Sequence, residues 1–214
     1  MTEQNFDAMR QAMVASQLRT NEVNDPRVIA AIAAVPRERF VPADRAAVAY
    51  IDRPVPLNAR RALNTPMATS RLIVELETRP TDRALVIGAG SGYAAAILAR
   101  LTASVTALEE DESLAGLATA ELSGVETVIG PLVEGHAAGA PYDVILIDGA
   151  VERIPAAIID QLADGGRIAA AIVDNGVTRL TVGRKSGGAV GLRAFADADA
   201  APLPGFAEPP SFKF

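Results

Sequence analysis

The chain has 214 residues, half of them apolar and about a fifth charged, which suits one or two folded domains. A chain of this length buries ~70% of the surface that its unfolded form exposes, which excludes a disordered protein. Because cysteine is absent, disulfides, cysteine-ligated zinc, iron–sulfur clusters and thiol nucleophiles are excluded. The single histidine, His136, also excludes a zinc site built on a histidine pair.

The charge balance and apolar runs limit the partners of the protein. A net charge of −6 argues against a general nucleic-acid binder, which would carry a basic face. The longest apolar runs, such as 168–173, are far shorter than the ~18 residues that cross a bilayer. Glu3 and Asp7 lie where a signal peptide would carry positive charge. We therefore expect a cytoplasmic protein that binds neither nucleic acid nor membrane, of undetermined oligomeric state.

Two helices are predicted in the first forty residues. Met9 and Met13 repeat at helical spacing in the first helix. Asp25 is suited to cap the second helix, Pro26 to occupy its first position and Pro36 to end it.

Residues 41–63 are predicted to form a long loop or short strands, because prolines recur and apolar positions are not periodic. Loops of this length are usually functional or disordered. A third helix is predicted at about residues 69–77, with three side chains facing inward: Leu72, Ile73 and Leu76.

From residue 84 onward, predicted strands alternate with predicted helices, which indicates a parallel sheet. The predicted strands are 84–87, 105–108, Val125–Ile129, 144–147 and 167–173. The first helix carries Tyr93, Ile97 and Leu101; the second carries Leu114 and Leu117; the third is opened by Pro155 and buries Ile158, Ile159 and Leu162.

Turn signals around residues 174–176 and 186–188 flank the segments 178–182 and 190–195, which predicts an antiparallel meander. The proline-rich tail 201–214 is predicted to be extended, with Phe206, Phe212 and Phe214 pinned on the body. We expect one domain over 1–214: N-terminal helices and a substrate loop (1–80), a Rossmann-like cofactor core (81–174), and an antiparallel hairpin with the tail (175–214).

A glycine-rich turn, Gly88-Ala89-Gly90-Ser91-Gly92, joins the first alternating strand to its helix. Glycine there permits a tight turn and close approach of a ligand to the backbone. A dinucleotide fingerprint would place a third glycine at Tyr93, so the spacing favours S-adenosylmethionine. Glu109 ends the next strand, where a carboxylate accepts both hydroxyl hydrogens of a ribose. The structural alternative is that these glycines serve only strand–helix packing.

With these residues placed, the chain from about Arg10 to Arg167 resembles the protein-L-isoaspartate O-methyltransferase family. Each matching stretch is short, but their order and spacing together are specific. The stretches are Met13-Val14 through Gln17-Leu18, Asp25 through Arg27-Val28, Val35-Pro36-Arg37-Glu38 with Phe40-Val41-Pro42, Ala49-Tyr50 with Asp52, Ile87 to Tyr93, Pro141-Tyr142-Asp143, Ile154-Pro155, Gln161-Leu162 and Gly165-Gly166-Arg167.

The resemblance implies a Rossmann-like enzyme that moves a methyl group from S-adenosylmethionine to the carboxylate of isoaspartyl residues in damaged proteins, leaving S-adenosyl-L-homocysteine. It implies that Gly88, Ala89, Gly90, Ser91 and Gly92 bind the cofactor, with Glu109 and Glu110 at its ribose. Pro131 and Leu132 would border the adenine.

Four positions depart from the family pattern. The serine that the family generally places in the active site is Asn64 here, and the acidic residue before the glycine turn is Val86. Gly130-Pro131-Leu132 stands in place of Gly-Asp-Gly. Asp148 follows the fourth strand, where the family has a small or hydroxyl residue. The cofactor scaffold is thus retained while the substrate end differs.

Methyl transfer to a carboxylate requires alignment rather than a base, because the carboxylate is already ionised near neutral pH. We therefore expect no metal and no Ser-His-Asp arrangement. Asn64 and Thr65 both donate hydrogen bonds, so one of them is a candidate to orient the substrate in place of the serine. The alternative is that the loop has lost this role.

Arg60 and Arg61 either attract an anionic substrate or form an exposed loop pair. Asp148 either contacts the cofactor, or acts as a base toward a hydroxyl or amine acceptor, or caps the following loop. His136 is expected to be a surface residue, and Tyr93 is expected to be a packing residue.

The leading hypothesis is an isoaspartyl methyltransferase with an altered loop. The alternatives are a methyltransferase with another acceptor and a non-catalytic protein that binds cofactor or damaged protein. A nicotinamide-dependent oxidoreductase is opposed by the absence of the third fingerprint glycine.

Overall fold

The structure of the protein is a computed structural model that describes residues 5–117 and 119–207. These residues form six α-helices and nine strands. The helices are α1 (Phe6–Met13), α2 (Pro26–Ala34), α3 (Pro66–Glu75), α4 (Tyr93–Leu98), α5 (Glu112–Ala115) and α6 (Ala156–Asp160). The strands are β1 (Val55–Pro56), β2 (Ala62–Leu63), β3 (Arg83–Ile87), β4 (Ser104–Glu109), β5 (Val125–Ile129), β6 (Tyr142–Val151), β7 (Leu162–Asp174), β8 (Val177–Ser186) and β9 (Ala189–Asp197).

Seven strands form one sheet in the order β5-β4-β3-β6-β7-β8-β9. The strands from β5 to β7 pair in parallel, and β8 and β9 continue the sheet as an antiparallel meander. The short strands β1 and β2 form a separate antiparallel hairpin. The predicted mixed α/β fold, with N-terminal helices and an antiparallel C-terminal addition, is confirmed.

Alternate residues of the central strands are buried on opposite faces of the sheet, as the pleat requires. On one face, Val86 and Leu146 join the core beneath the N-terminal helices. On the other face, Ile87 and Ile147 join a second core. Burial on both faces explains why these strands read as nearly continuous apolar runs.

The N-terminal helices begin and end close to their predicted positions. Asp25 caps α2 through hydrogen bonds from two backbone N–H groups, and Pro26 is its first residue. After α1 the chain continues through a π-helical turn, Val14–Leu18. Between α2 and α3 it passes through 3-10 turns and the β1–β2 hairpin, which agrees with the predicted short strands.

Helix α3 begins three residues before its predicted start. Thr65 is the N-cap, accepting a hydrogen bond from the backbone N–H of Ala68, and Pro66 is the first helical residue. Both residue types are helix-start signals. The prediction of a start near Thr69 was therefore wrong because it relied on apolar periodicity alone.

The other helices of the alternating section are shorter than predicted. Helix α5 is one turn long, and Leu117, predicted to belong to it, lies beyond it with a relative exposure of 40%. Helix α6 buries Ile158, whereas Leu162 is already the first residue of β7. The prediction that one helix buries Ile158, Ile159 and Leu162 was wrong. The helical spacing from Ile158 to Leu162 continues past the end of the helix at Asp160, and Ile159 is only half-buried.

The segment that follows β9 runs back across the carboxyl edge of the sheet. We call residues 201–206 the strap. Its backbone pairs with Ala150 of β6, and Ala201, Leu203 and Phe206 are buried. The predicted pinning of Phe206 is confirmed, whereas Phe212 and Phe214 lie outside the described residues. No helix in the described part of the chain is long and apolar enough to cross a membrane.

Candidate functional site

The candidate site lies at the carboxyl ends of β3, β4 and β6. Strands β3 and β6 are neighbours, but the chain leaves β3 toward β4 on one side and leaves β6 toward β7 on the other. Open α/β sheets bind ligands in the crevice at such a switch point. Gly88 follows β3, Glu109 ends β4, and Asp148 lies in β6 just beyond its last pairing with β3.

The glycine turn has the tight conformation that the sequence predicts. Gly88 and Gly92 have φ angles of 73° and 96°, which side chains larger than hydrogen rarely tolerate. All five residues of the turn are buried. Four of its backbone N–H groups donate hydrogen bonds within the protein: Gly88 and Ala89 to Leu108, Gly90 to Glu109, and Gly92 to Ala89.

Glu109 is buried and fully engaged by the protein itself. Its Oε2 accepts a hydrogen bond of 2.6 Å from the backbone N–H of Gly90. Its Oε1 accepts from the N–H groups of Glu110 and Asp111 and forms an ion pair with Arg61. The side chains of Arg61 and Glu109 are only 4% and 1% exposed.

Arg61 therefore differs from its predicted alternatives. The guanidinium crosses the glycine turn, and Nη2 donates to the carbonyl of Gly88 at 3.3 Å. The sequence left open substrate attraction or an exposed loop pair. The exposed pair is wrong, because Arg61 is buried and only Arg60 is exposed. Pairing between residues 48 positions apart leaves no local sequence signal.

Asn64, Thr69 and Asp148 form a buried polar cluster beside the turn. Asn64 Nδ2 and Thr69 Oγ1 donate to Oδ1 of Asp148 at 3.2 and 3.0 Å. The amide oxygen of Asn64 accepts hydrogen bonds from the backbone N–H groups of Thr65 and Ala201. Two of the predicted departures from the family pattern, Asn64 and Asp148, are thus in direct contact.

Burial raises the pKa of Asp148 above its ordinary value. The hydrogen bonds from Asn64 and Thr69 and the charges of Arg37 and Arg61 oppose this effect without cancelling it. The structure therefore favours the neutral form of this carboxyl group more than water does.

Arg37 supports the cluster from below, and sequence reasoning gave it no role in the site. It is fully buried, its Nη2 donates to the backbone carbonyl of Asn64 at 2.5 Å, and its Nε donates to that of Ala49 at 2.6 Å. The guanidinium stacks 4.6 Å from the ring centre of Tyr93. The only available signal was its place in the Val35-Pro36-Arg37-Glu38 motif.

The space above the glycine turn is filled by side chains of this chain. A Cβ atom built on Gly88 would lie 2.7 Å from Leu203, and one built on Gly149 would lie 2.5 Å from the same side chain. A Cβ atom on Gly90 would lie 3.2 Å from Leu57. Leu203 and Leu57 therefore pack directly against the glycines of the crevice.

The remaining predicted site residues lie around this crevice. Glu110 and Pro131 are exposed, and Leu132 is buried in the core that also holds Leu203. Tyr93 packs edge-on against Phe40, as expected of a packing residue. His136 is half-buried in its loop. No group of three or more histidine, aspartate or glutamate side chains suited to a metal occurs within the described ranges.

A mostly parallel sheet with a glycine turn after one strand and an acidic residue ending the next defines a Rossmann-like nucleotide-binding fold. Residues 9–200 match the family described as protein-L-isoaspartate(D-aspartate) O-methyltransferase (PCMT). The chain therefore belongs to the protein-L-isoaspartate O-methyltransferase family.

Two curated relatives agree with this assignment, and a solved structure shares the fold. A protein-L-isoaspartate O-methyltransferase of Methanoculleus marisnigri is 40% identical over 168 residues, 76% of each chain. One of Koribacter versatilis is 35% identical over 205 residues, 94% of this chain and 92% of the relative. A solved Plasmodium falciparum structure named as a beta-aspartate methyltransferase (PCMT), in complex with S-adenosyl-L-homocysteine, has a TM-score of 0.76 at 19% identity, covering 92% of this chain and 97% of that one.

Proposed function

We propose that this protein transfers a methyl group from S-adenosylmethionine to the carboxylate of isoaspartyl residues in damaged proteins or peptides. The observation that carries the proposal is the family match over residues 9–200, which spans the glycine turn, Glu109 and the Asn64 loop. The curated relatives with the same name are matched over most of their length.

The residues at the switch point suit the cofactor in their chemistry. Glu109 is the acceptor for the ribose hydroxyls, residues 88–92 are the turn against which the cofactor packs, and Pro131 and Leu132 lie on the adenine side. Asp148 and Glu110 are further cofactor contacts in this proposal. When bound, S-adenosylmethionine supplies a methyl group activated by a positively charged sulfur. The side chains of Leu203 and Arg61 fill part of the crevice in this structure. The residues therefore suit the cofactor by their type.

The protein's own task in this reaction is alignment and exclusion of water. A carboxylate is ionised near neutral pH and needs no general base. Holding the reacting groups at near-attack distance lowers the barrier, and a buried site suppresses competition by water. The buried turn and the apolar side chain of Leu57 supply such an environment.

Asn64, with Thr65, is the residue that we propose to orient the acceptor carboxylate. The amide of Asn64 donates to Asp148, and a substrate carboxylate is an equivalent acceptor for the same hydrogen. The hydroxyl oxygen of Thr65 accepts the capping hydrogen bond, which leaves its hydroxyl hydrogen unused within the described part of the chain. Both side chains thus offer a donor in place of the family's serine.

The test is transfer of labelled methyl from S-adenosylmethionine to a synthetic isoaspartyl peptide. The matching aspartyl peptide is the blank, and an established family member is the positive control. We expect methylation of the isoaspartyl peptide alone. Absence of transfer, with the control enzyme active, would contradict the proposal.

Variants at Asn64 test how the acceptor is held. We expect Asn64→Ser to retain activity because serine still donates a hydrogen bond. We expect Asn64→Ala to lower kcat/KM about tenfold or more, the effect of losing about 1.4 kcal/mol of transition-state stabilisation. Equal activity of Asn64→Ala and the wild-type protein would remove Asn64 from this role.

A second candidate function is methylation of a hydroxyl or amine acceptor, which Asp148 specifically favours. When it is ionised, a buried carboxylate beside the acceptor position repels an anionic substrate but accepts a proton from a neutral one. If this alternative holds, the isoaspartyl peptide is not methylated and a hydroxyl or amine compound is. Loss of that transfer in Asp148→Asn would then identify the base.

A further inference from the structure

We infer that the chain closes its own cofactor crevice, with Arg61 and Leu203 in the space that S-adenosylmethionine requires, so that cofactor binds only after both side chains withdraw. The inference rests on the proposed cofactor and concerns the regulation of that site. It is independent of the identity of the methyl acceptor.

Leu203 occupies the switch point of the sheet. Its side chain lies against both Gly88, which follows β3, and Gly149, which lies in β6. These two glycines border the crevice in which an open α/β sheet binds its ligand. With Leu203 only 8% exposed, a bound molecule cannot reach this position without displacing it.

Arg61 forms an ion pair with Glu109, the polar group that we propose to bind the cofactor. The carboxylate of Glu109 is the group that would accept the ribose hydroxyls, and in this structure its oxygens bond Arg61 and three backbone N–H groups. A ribose therefore has to replace the guanidinium. The exchange leaves Glu109 satisfied, because the three backbone donors remain.

The two covers are attached in ways that allow movement. The strap is held to β6 by backbone hydrogen bonds between Ala150 and its residues Ala201 and Leu203, and to Asn64 by one more. Pro202 and Pro204 have no N–H to add to this set. The Arg61 loop is tied to the end of β4 by a hydrogen bond from Asn58 to Asp111. Few bonds therefore have to break for the strap to withdraw.

A pocket of about 500 Å³ lies immediately outside the two covers. Arg60 and Arg61 line it from the loop, Pro204 lines it from the strap, and residues 110–112 line it from the end of β4. Its volume is within the range of small-molecule sites. Withdrawal of Arg61 and the strap joins this pocket to Glu109 and the glycine turn, which gives the cofactor a route inward.

Closure reduces the apparent affinity for cofactor by the fraction of molecules that are open. We would measure the binding of S-adenosyl-L-homocysteine by calorimetry to the wild-type protein, Arg61→Gln and Leu203→Ala. The matched controls are Arg39→Ala, on an exposed arginine outside this pocket, and Leu192→Ala, on an exposed leucine of β9. We expect each crevice variant to bind at least tenfold more tightly than wild type, and each control to bind like wild type.

The inference is overturned if both crevice variants bind no more tightly than the wild-type protein, or if none of the proteins binds. Should Leu203→Ala fail to fold, as judged by circular dichroism, Arg61→Gln decides, since Glu109 keeps its three backbone donors. Tighter binding without methylation of the isoaspartyl peptide would support closure and reject the proposed acceptor. Methylation of the isoaspartyl peptide, without tighter cofactor binding by the variants, would support the proposed acceptor and reject closure.

Discussion

The carboxyl group of Asp148 is buried, and Asn64 and Thr69 both donate hydrogen bonds to the same oxygen, Oδ1. Because its pKa is raised by burial, the folded state binds the proton more tightly than the unfolded state, in which the pKa is about 3.9. The stability that this group contributes is complete below about pH 3.9 and is lost as pH rises through its folded pKa.

We therefore expect Asp148→Asn to melt at a higher temperature than the wild-type protein at pH 7. The difference should shrink toward zero as the pH approaches about 4. Each kcal/mol corresponds to a Tm shift of roughly 2–4 °C for a chain of this size. Thermal unfolding followed by circular dichroism between pH 4 and 8 measures it. A variant less stable than wild type at pH 7 would mean that the ionised carboxylate is favourable.

Arg37 joins two loops through its buried guanidinium. Replacing it by methionine keeps most of the side-chain volume but leaves the carbonyls of Ala49 and Asn64 without their donors. We expect Arg37→Met to lower the free energy of unfolding by about 3 kcal/mol, since each buried group left without a partner costs roughly 1–3 kcal/mol.

Urea denaturation checks this expectation, with Arg39→Ala as the control. The side chain of Arg39 is 65% exposed, and its ion pair with Glu121 lies at the surface. We expect the control to change stability by less than about 0.5 kcal/mol. Similar losses in the two variants would show that the buried hydrogen bonds of Arg37 contribute little.

At the scale of elements, helix α3 depends on its N-cap. Thr65 accepts a hydrogen bond from the N–H of Ala68 at 3.0 Å. We expect Thr65→Ala to destabilise the protein by about 1 kcal/mol and Thr65→Ser to cost much less, because serine is an equally good cap. Urea denaturation measures both. Equal losses in the two variants would assign the effect to the methyl group and its packing.

The elements also show how far sequence patterns reach. Strand β5 has its predicted bounds, and β3 and β4 differ from theirs by one or two residues, because apolar runs flanked by turn residues define buried strands well. Helices α5 and α6 were predicted too long. A helix of four or five residues has too few turns to show a period, and its ends are set by the neighbouring strands.

At the scale of the whole molecule, the strap is held by hydrogen bonds to Ala150 and Asn64 and by its buried apolar side chains. In native-state hydrogen exchange, we expect the amides of Ala150 and Leu203 to exchange at least tenfold faster than those of β3, which lies between β4 and β6. Their rates should be insensitive to low urea, because local opening exposes little surface. Saturating S-adenosyl-L-homocysteine should speed them further. A shared rate and urea dependence with β3 would show that the strap opens only on global unfolding.

Site residues that are close together in the chain could be predicted from the sequence, whereas contacts between distant residues could not. The glycine turn and Glu109 follow from spacing within one strand–helix–strand unit. Arg61 meets Glu109 across 48 positions, and Leu203 reaches Gly88 from the end of the chain. Such contacts depend on how the hairpin and the tail fold over the sheet, which neither periodicity nor motif spacing describes.

The order of the strap in the chain bears on how the protein is made. Translation proceeds from the N-terminus, and folding generally follows it. The elements from β1 to β6 are synthesised before residues 201–206, so the growing chain on the ribosome presents a crevice that Leu203 does not yet cover. Cofactor in the cell therefore meets only the Arg61 cover during synthesis, whereas cofactor added to the finished protein meets both covers. Protein purified from cells and protein refolded from denaturant should accordingly differ in the nucleoside that they carry.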